Sequence, residues 1–420
     1  MKNIIFHELR KVFISPVIAS LLIIFTGFNF YLIYDHSSVR NELEIVNEAI
    51  GRYGTNITPD SIAAFEKEYE SALENLNILA EKKLSKTYQD ASEFFTDRST
   101  DSNQSFNEEE LKVAAKALVF EMYLNEMDGI GEIYEKLDFK QTAELEIINL
   151  NLSGEAAETV RKTFSQLEAR KAEIIENGEH QTLFFHGKTY KLHTFLFRTL
   201  LKAILVEALI LSVLAAAYIN TYEFENKTHL IAYSTKRGRK LAVDKLIASL
   251  TASTMMTTFL LALTMVCYLT LFNYSNVWSV PISSYFNAEF TLPYISWHQL
   301  NFGEYLGLCI LLLYICQLFF TAIAFILSIF IKNSYLVFVV FLLVWGIAVI
   351  IPGFVPLDSN MLFTTRLNPF TLITNPHLWF MAWGAFQVKY YEITTVGIWL
   401  VVLFVGCFIS LAQFKKQNIY

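Results

Sequence analysis

The sequence predicts an all-α polytopic membrane protein, with six transmembrane helices and a mostly helical extracellular domain inserted between the first and the second. Three observations carry this. Hydrophobic residues make up 54% of the 420-residue chain and aromatics 15%, with a mean hydropathy of +0.37. A soluble protein of this length has less apolar surface to hide. The excess is gathered into six runs of roughly twenty residues, each long enough to cross a hydrocarbon core about 30 Å thick at 1.5 Å per residue. The charge outside those runs is unevenly divided: residues 36–193 hold 30 acidic and 17 basic residues, a net of −13 in a chain whose total is −7. The remainder is therefore +6.

The six runs are residues 12–34, 195–220, 246–272, 305–331, 335–352 and 394–413. Each is continuously apolar, without the alternation of barrel strands. Lipid admits only helices or closed barrels, because unpaired backbone groups are costly there, so the runs read as helices. The chain before the first run, with Lys2, Arg10 and Lys11 among Ile4, Ile5 and Leu9, has the pattern of a short interfacial helix. The run that follows is too long for the apolar core of a signal peptide and has no small-residue cleavage pattern, so a retained first span is expected. Pro16 falls in its first turn, where a missing N–H costs least.

Orientation follows from the loops. Residues 223–245 read EFENKTHLIAYSTKRGRKLAVDK, with Lys236, Arg237, Arg239, Lys240 and Lys245 crowded together. Lys and Arg are retained on the cytoplasmic side, so this loop is expected inside, together with Lys332, Lys415 and Lys416. Residues 278–304 carry no Lys or Arg, and residues 353–393 only Arg366 and Lys389. Both are expected outside. The acidic segment then lies outside as well, since long domains translocate regardless of charge, while the basic remainder faces the anionic cytoplasmic leaflet. The expected location is the plasma membrane of a bacterium, with both termini cytoplasmic.

The domain plan is residues 1–34 for the interfacial helix and first span, 35–194 for the extracellular domain, and 195–420 for the remaining spans. Within the extracellular domain, Thr58-Pro59-Asp60 starts a helix, with Phe65, Tyr69, Leu73, Leu76 and Leu79 following at helical steps. Asn107 before three glutamates starts another. Ser153 opens a third that runs to a stop at Gly178. Residues 181–192 predict a β-hairpin turning at His186-Gly187, and residues 99–105 a mobile loop. An independently folding unit without disulfides is expected, because Cys267, Cys309, Cys316 and Cys407 all lie in the spans and read as apolar fillers. Residues 353–393, rich in Phe and Trp but broken by Pro356, Pro369 and Pro376, suit short re-entrant or interfacial helices, or an aromatic belt at the outer face.

Several chemistries are disfavoured. Gly187-Lys188-Thr189 lacks the glycine a phosphate-binding loop needs at position 182, which is Thr. His180, His186 and His193 do not have the spacing of a helical metal pair. No HExxH, GxSxG or nucleophile–base pattern supports an enzyme acting alone. Two features within the spans invite function. Glu207, near the middle of the second span, would cost on the order of 3 kcal/mol if ionised there, so it either lines a path or gate or makes an interhelix hydrogen bond. Ser249, Ser253 and Thr257, beside Thr251, Thr254 and Thr258, either allow close helix packing or wall a polar path; Glu207, Ser253 and Thr257 are the candidate pathway residues.

The six-span order, the segment IIFHELRKVFISP before the first span and the loop after the second resemble the ABC-2 type permeases, the membrane subunits of ATP-binding-cassette exporters. In that loop Glu225, Thr228, Leu230, Ser234-Thr235, Arg239 and Lys245 follow the family's pattern, and the outer segment before the last span is similar too. The likeness covers residues 1–34 and 195–420. It implies a coupling loop at residues 220–245, with Glu223, Glu225, Thr228, Ser234, Thr235, Arg237, Arg239 and Lys245 meeting a separate cytosolic ATPase. It also implies a second permease subunit, alike or different, in a lipid bilayer and with no nucleic acid. No cofactor is expected on this chain; ATP and magnesium would belong to the ATPase. The cargo class implied is an amphiphilic peptide, a lipid-linked molecule or a drug. The rival reading is a membrane sensor or scaffold whose extracellular domain binds a ligand and signals through the same loop.

Overall fold

The computed structural model describes residues 2–100, 106–127, 129–185, 193–234, 238–289 and 292–416. Among these the chain is helical apart from one strand pair, β1 (Ala288–Glu289) with β2 (Leu292–Pro293), antiparallel in the register Ala288 to Pro293. Six helices are long and apolar enough to cross a membrane, so the chain is a membrane protein. They are α2 (Pro16–Asp35), α10 (Leu201–Glu225) with the π-helical turn Thr194–Leu200 before it, α12 (Leu241–Leu271), α13 (Phe302–Phe330), α14 (Ser334–Ile350) with a 3₁₀ turn to Phe354, and α17 (Tyr391–Lys416).

The first span begins later than its apolar run. Helix α1 (Lys2–Ile14) ends before Ser15, whose ψ of 119° is extended, because a proline crowds helical backbone at the residue before it. Pro16 then serves as the first residue of α2. Val12, expected in the span, belongs to α1, where it is fully buried while Phe6 and Ile14 are exposed. This one-sided helix lies against α12 and α10.

Helix α10 is the centre of the bundle and the most buried span, with α2, α14 and α17 the least buried. Its small residues Ala208, Ala215, Ala216 and Ala217 are all buried, which lets α12 and α13 approach closely.

The segment between the first two spans folds as α3 (Arg40–Tyr53), α4 (Pro59–Leu84), α5 (Ala91–Thr100), α6 (Glu108–Met127), α7 (Ile130–Lys136), α8 (Phe139–Asn149) and α9 (Gly154–Asn177). The three expected helix starts are present. Thr58 and Ser61 form a reciprocal capping box. Asn107 Oδ1 accepts from Glu110 N at 2.8 Å while Asn107 N donates back to Glu110 Oε2 at 2.9 Å. Helix α9 stops at Gly178, φ +74°, a left-handed conformation that glycine adopts at little cost.

This segment is less separate than the domain plan expects. Helices α4, α5 and α6 enclose a small core of their own, with Leu76, Phe94, Ala114 and Ala117. The apolar faces of α3, α7, α8 and α9 instead run without a break into the core of the bundle, so a boundary at residue 194 cuts through shared packing. The first arm of the expected hairpin pairs elsewhere: Leu183 N donates to Thr55 O and Ile57 N to Gln181 O. Residues 186–192 of that hairpin, and 101–105 of the expected loop, lie outside the described residues.

The connections sort onto two ends of the bundle. At one end the helical segment meets the two connections expected on its side. Arg170 Nε donates to Ser296 O at 3.0 Å, Asn47 Nδ2 to Ser275 Oγ at 2.9 Å, and Thr159 Oγ1 to Asn360 Oδ1 at 2.6 Å. At the other end α1, the loop after α10, the turn at Lys332 and the last turns of α17 come together. The alternation needed for six crossings is therefore present in the packing.

Residues 353–393 contain α15 (Met361–Thr364) and α16 (Pro369–Leu372). The segment dips into the bundle. Phe370, buried, packs on Phe320 of α13 and Phe341 of α14 at ring distances of 5.8 and 5.6 Å. Phe320 lies roughly 27 Å along α13 from its first residue.

Candidate functional site

Among the described residues, two of the buried polar clusters in the spanning bundle are built around a glutamate. The first surrounds Glu207. Its carboxylate Oε2 accepts from Asn29 Nδ2 of α2 at 2.8 Å, and the same amide donates to Thr264 Oγ1 of α12 at 3.2 Å. Asn29 and Thr264 are fully buried and Glu207 nearly so. Three spans are thus tied at one point. Glu207 Oε1 and Asn29 Oδ1 have no partner among the described residues. The interhelix hydrogen bond expected as one of two readings is in place, and the unpaired oxygens keep the cluster polar.

The hydroxyls of α12 divide by face. Ser249, Ser253 and Thr257 are fully buried; Ser249 Oγ takes a bond from Asn220 Nδ2 at 3.1 Å, while Ser253 Oγ and Thr257 Oγ1 have no partner among the described residues. On the neighbouring face Thr258 and Tyr314 share a hydrogen bond of 2.8 Å, and Thr254 Oγ1 donates to Gln317 Oε1 at 3.4 Å. Small side chains buried against α10 are what close helix packing requires.

The second cluster lies at the end of the bundle that holds α1. Glu223, near the last turn of α10, accepts from Lys11 Nζ at 2.9 Å and from Lys245 Nζ. Lys11 also reaches Glu8 at 2.8 Å, and Lys245 reaches Ile219 O at 2.6 Å. Lys245 is 1% exposed and Glu223 6%. Burial alone would lower the Lys11 pKa, but Glu8 and Glu223 outweigh it and hold it above the ordinary lysine value. The cluster ties α1, α10 and α12 together through one carboxylate.

The loop after α10 is built on this base. Glu225 is exposed and accepts from Ser334 N at 2.5 Å and Ser334 Oγ at 2.7 Å, capping α14. Thr228 N returns to Glu223 O at 2.8 Å. Helix α11 (His229–Ser234) then runs across the end of the bundle. Tyr233 is its buried anchor, against Phe224 and Phe414, whereas Leu230 and Ile231 are 53% and 75% exposed. Lys332 Nζ sits 4.4 Å from the centre of the Phe224 ring; burial, aided by the charge of Lys245, pushes its pKa down to about 8.

Of the residues expected to meet a partner, Glu223 and Lys245 are internal and meet each other. That expectation is corrected for them: their buried charges brace the loop from within. Glu225, Thr228 and Ser234 are on the surface. Thr235 and Arg237 lie outside the described residues, as does the side chain of Arg239. Sequence reasoning missed Asn29, Lys11 and the Glu225–Ser334 cap. Asn29 carried a usable signal, since it is the one amide in the apolar stretch of α2.

The histidines are committed to structure where they are described. His180 Nδ1 lies 3.1 Å from Ile174 O, and His193 Nε2 lies 2.9 Å from His377 O. Burial lowers the pKa of both rings, His193 to about 4.

No family model, curated protein or solved structure matches the chain.

Proposed function

We propose that this chain is the membrane subunit of an ATP-driven exporter of the ABC-2 type, working with separate cytosolic ATPases and a second permease subunit. The observation that supports it most is the convergence at one end of the bundle. The end of α10 is tied to α1 by Lys11, to α12 by Lys245 and to α14 by Ser334, and the loop that follows is tied to α17 by Phe414. A push on the loop is therefore passed to α17 directly and, through the end of α10, to α1, α12 and α14. Exposed Leu230 and Ile231 offer the apolar contact through which a partner could push. In this reading that end is cytoplasmic, the helical segment is extracellular, and the membrane is a bacterial plasma membrane. ATP and magnesium belong to the partner. The ATPases supply the differential binding energy and the bundle the two-state element. The cargo is amphiphilic, a peptide, a lipid-linked molecule or a drug, because the bundle is apolar with isolated polar clusters.

The experiment is co-purification of this chain with cytosolic ATPases from its host. Ile231→Asp places a charge on the exposed face of α11 and should release the ATPase while the permease remains folded. Retention of the ATPase by this variant and by the Arg237→Glu/Arg239→Glu pair would overturn the reading.

A cleft of about 550 Å³ between α4 and α6, with Ile78 and Val113 exposed among charged groups, favours the second reading, a sensor whose outer domain binds a ligand. In that case ligand binding, not cargo movement, would change the ATPase rate.

A further inference from the structure

One cavity in the bundle serves neither cluster. It is a groove of about 530 Å³ between α13 and α17. Its walls are aliphatic: Leu308, Leu311, Leu312 and Ile315 from α13, Ile393 and Val396 from α17. Gly397 lies in the same wall, and a Cβ there would meet no atom within 4 Å. The absence of a side chain at 397 thus leaves the space open. Leu311 and Ile393 are 56% and 59% exposed, so the groove opens sideways from two spanning helices, toward hydrocarbon. It runs about 10 Å along α13, from Leu308 to Ile315.

The upper end is different. His298 and Glu392 border it. Glu392 is nearly buried, and its Oε1 accepts from Phe380 N at 2.8 Å, so the carboxylate is turned to its own backbone. The rim beside it is cationic and aromatic. The ring of Tyr390 lies 5.8 Å from that of His298, and Lys389 Nζ lies 5.6 Å from the Tyr390 ring. Arg170 is nearby and pairs with Glu179. Lys389 has no carboxylate partner among the described residues. Burial, then the charges of Lys389 and Arg170, lower the His298 pKa, which leaves a neutral ring able to donate one hydrogen bond.

We propose that this groove seats one acyl chain of a membrane glycerophospholipid, with the anionic phosphate held at the rim by Lys389 and His298. An apolar slot at membrane depth beneath a lysine and an aromatic rim is complementary to an amphiphile with an anionic head. The inference needs only the membrane location of the chain and does not depend on the transport reading.

The test is native mass spectrometry of the full chain in detergent, titrated with phosphatidylglycerol and, separately, with phosphatidylcholine. Gly397→Leu fills the groove and should weaken phosphatidylglycerol binding about tenfold or more. Gly346→Leu adds the same bulk to α14, where the surroundings are also open and which contributes no residue to the groove, and should bind as the unaltered chain does. Lys389→Ala should lower affinity for phosphatidylglycerol and remove its preference over phosphatidylcholine. If Gly397→Leu does not fold, Val396→Trp closes the slot from the same wall and carries the same expectation. Equal lipid retention by Gly397→Leu, or Val396→Trp in its place, and Gly346→Leu would overturn the acyl site. An unchanged lipid preference in Lys389→Ala would overturn the phosphate assignment.

Discussion

Asn29 of the first span donates its amide to Glu207 of the second at 2.8 Å, deep in the bundle, and shares that amide with Thr264 of the third. An acid in lipid is thereby given a fixed partner on another helix. Interhelix hydrogen bonds of this kind average about 0.6 kcal/mol and reach about 1.7. A double-mutant cycle with Asn29→Leu and Glu207→Leu, each of which removes the bond, should give a coupling energy within that range, read from thermal or denaturant unfolding in detergent. A coupling near zero would mean that the bond contributes nothing to assembly. If Glu207 also serves the cargo path, Glu207→Gln should impair transport while expression and stability remain normal.

Lys245 and Glu223 are a buried pair. Glu223 also holds Lys11, so losing Lys245 leaves it one cation, whereas losing Glu223 strands the buried Lys245. Losses of about 3–5 kcal/mol follow when a buried charge is stranded. Glu223→Gln is expected to destabilise the protein by that order, and Lys245→Met added to it should recover much of the loss. Lys11→Met alone should cost less, because Lys245 remains on Glu223. Equal losses in the Glu223→Gln single and the double variant would show that the charge pair is not what holds α10 to α12 at this end.

Gly238 approaches Tyr233 so closely that a Cβ on it would lie 2.2 Å from the Tyr233 carbonyl oxygen. Backbone must move to admit even alanine. Gly238→Ala should therefore displace α11 and, on the proposed reading, weaken ATPase co-purification several-fold, while the melting temperature of the spanning bundle changes little. A variant that keeps both properties would show that the position of α11 does not matter for the partner.

What could be read from the sequence divides along physical lines. The spans are legible because lipid demands length and apolarity, and both are local. The caps at Thr58 and Asn107 are legible because they act within one helical turn. Pro16 pointed to the start of α2, yet the apolar run continued back to Val12, and hydropathy alone cannot tell the buried face of an interfacial helix from the start of a span. The partners of Glu207 and Glu223 were not legible. Asn29 is 178 positions from Glu207, and Lys11 is 212 positions from Glu223, so these contacts depend on which helices become neighbours. The shared core beneath α3 and α9 was hidden for the same reason. The acidic surface suggested a separate domain, while the apolar faces had their partners among the connections at the end of the bundle.

His193 makes stability depend on pH, and the direction follows from its bonds. With the ring neutral, Nε2–H donates to the His377 carbonyl at 2.9 Å and Nδ1 faces the Asn287 amide at 3.4 Å. Tyr294 stacks on it at 3.9 Å. A proton on Nδ1 would oppose one donor to another in a site closed to water. Burial therefore holds the pKa at about 4, below the roughly 6.5 of an exposed histidine. The unfolded chain takes up a proton as pH falls through 6.5, and the folded chain does not until about 4. Stability from this ring is complete above the higher value and declines between the two, by an amount on the order of 3 kcal/mol. His377 acts in the same direction: burial first, then the charges of His193, Arg198 and Lys202, lower its pKa to about 3. The contribution of these two rings to the melting temperature should be level from pH 8 to about 6.5 and fall toward pH 5. His193→Gln, which can still donate to the His377 carbonyl, should reduce the slope of that fall even if it lowers the plateau. A slope unchanged in the variant would assign the acid sensitivity to other groups.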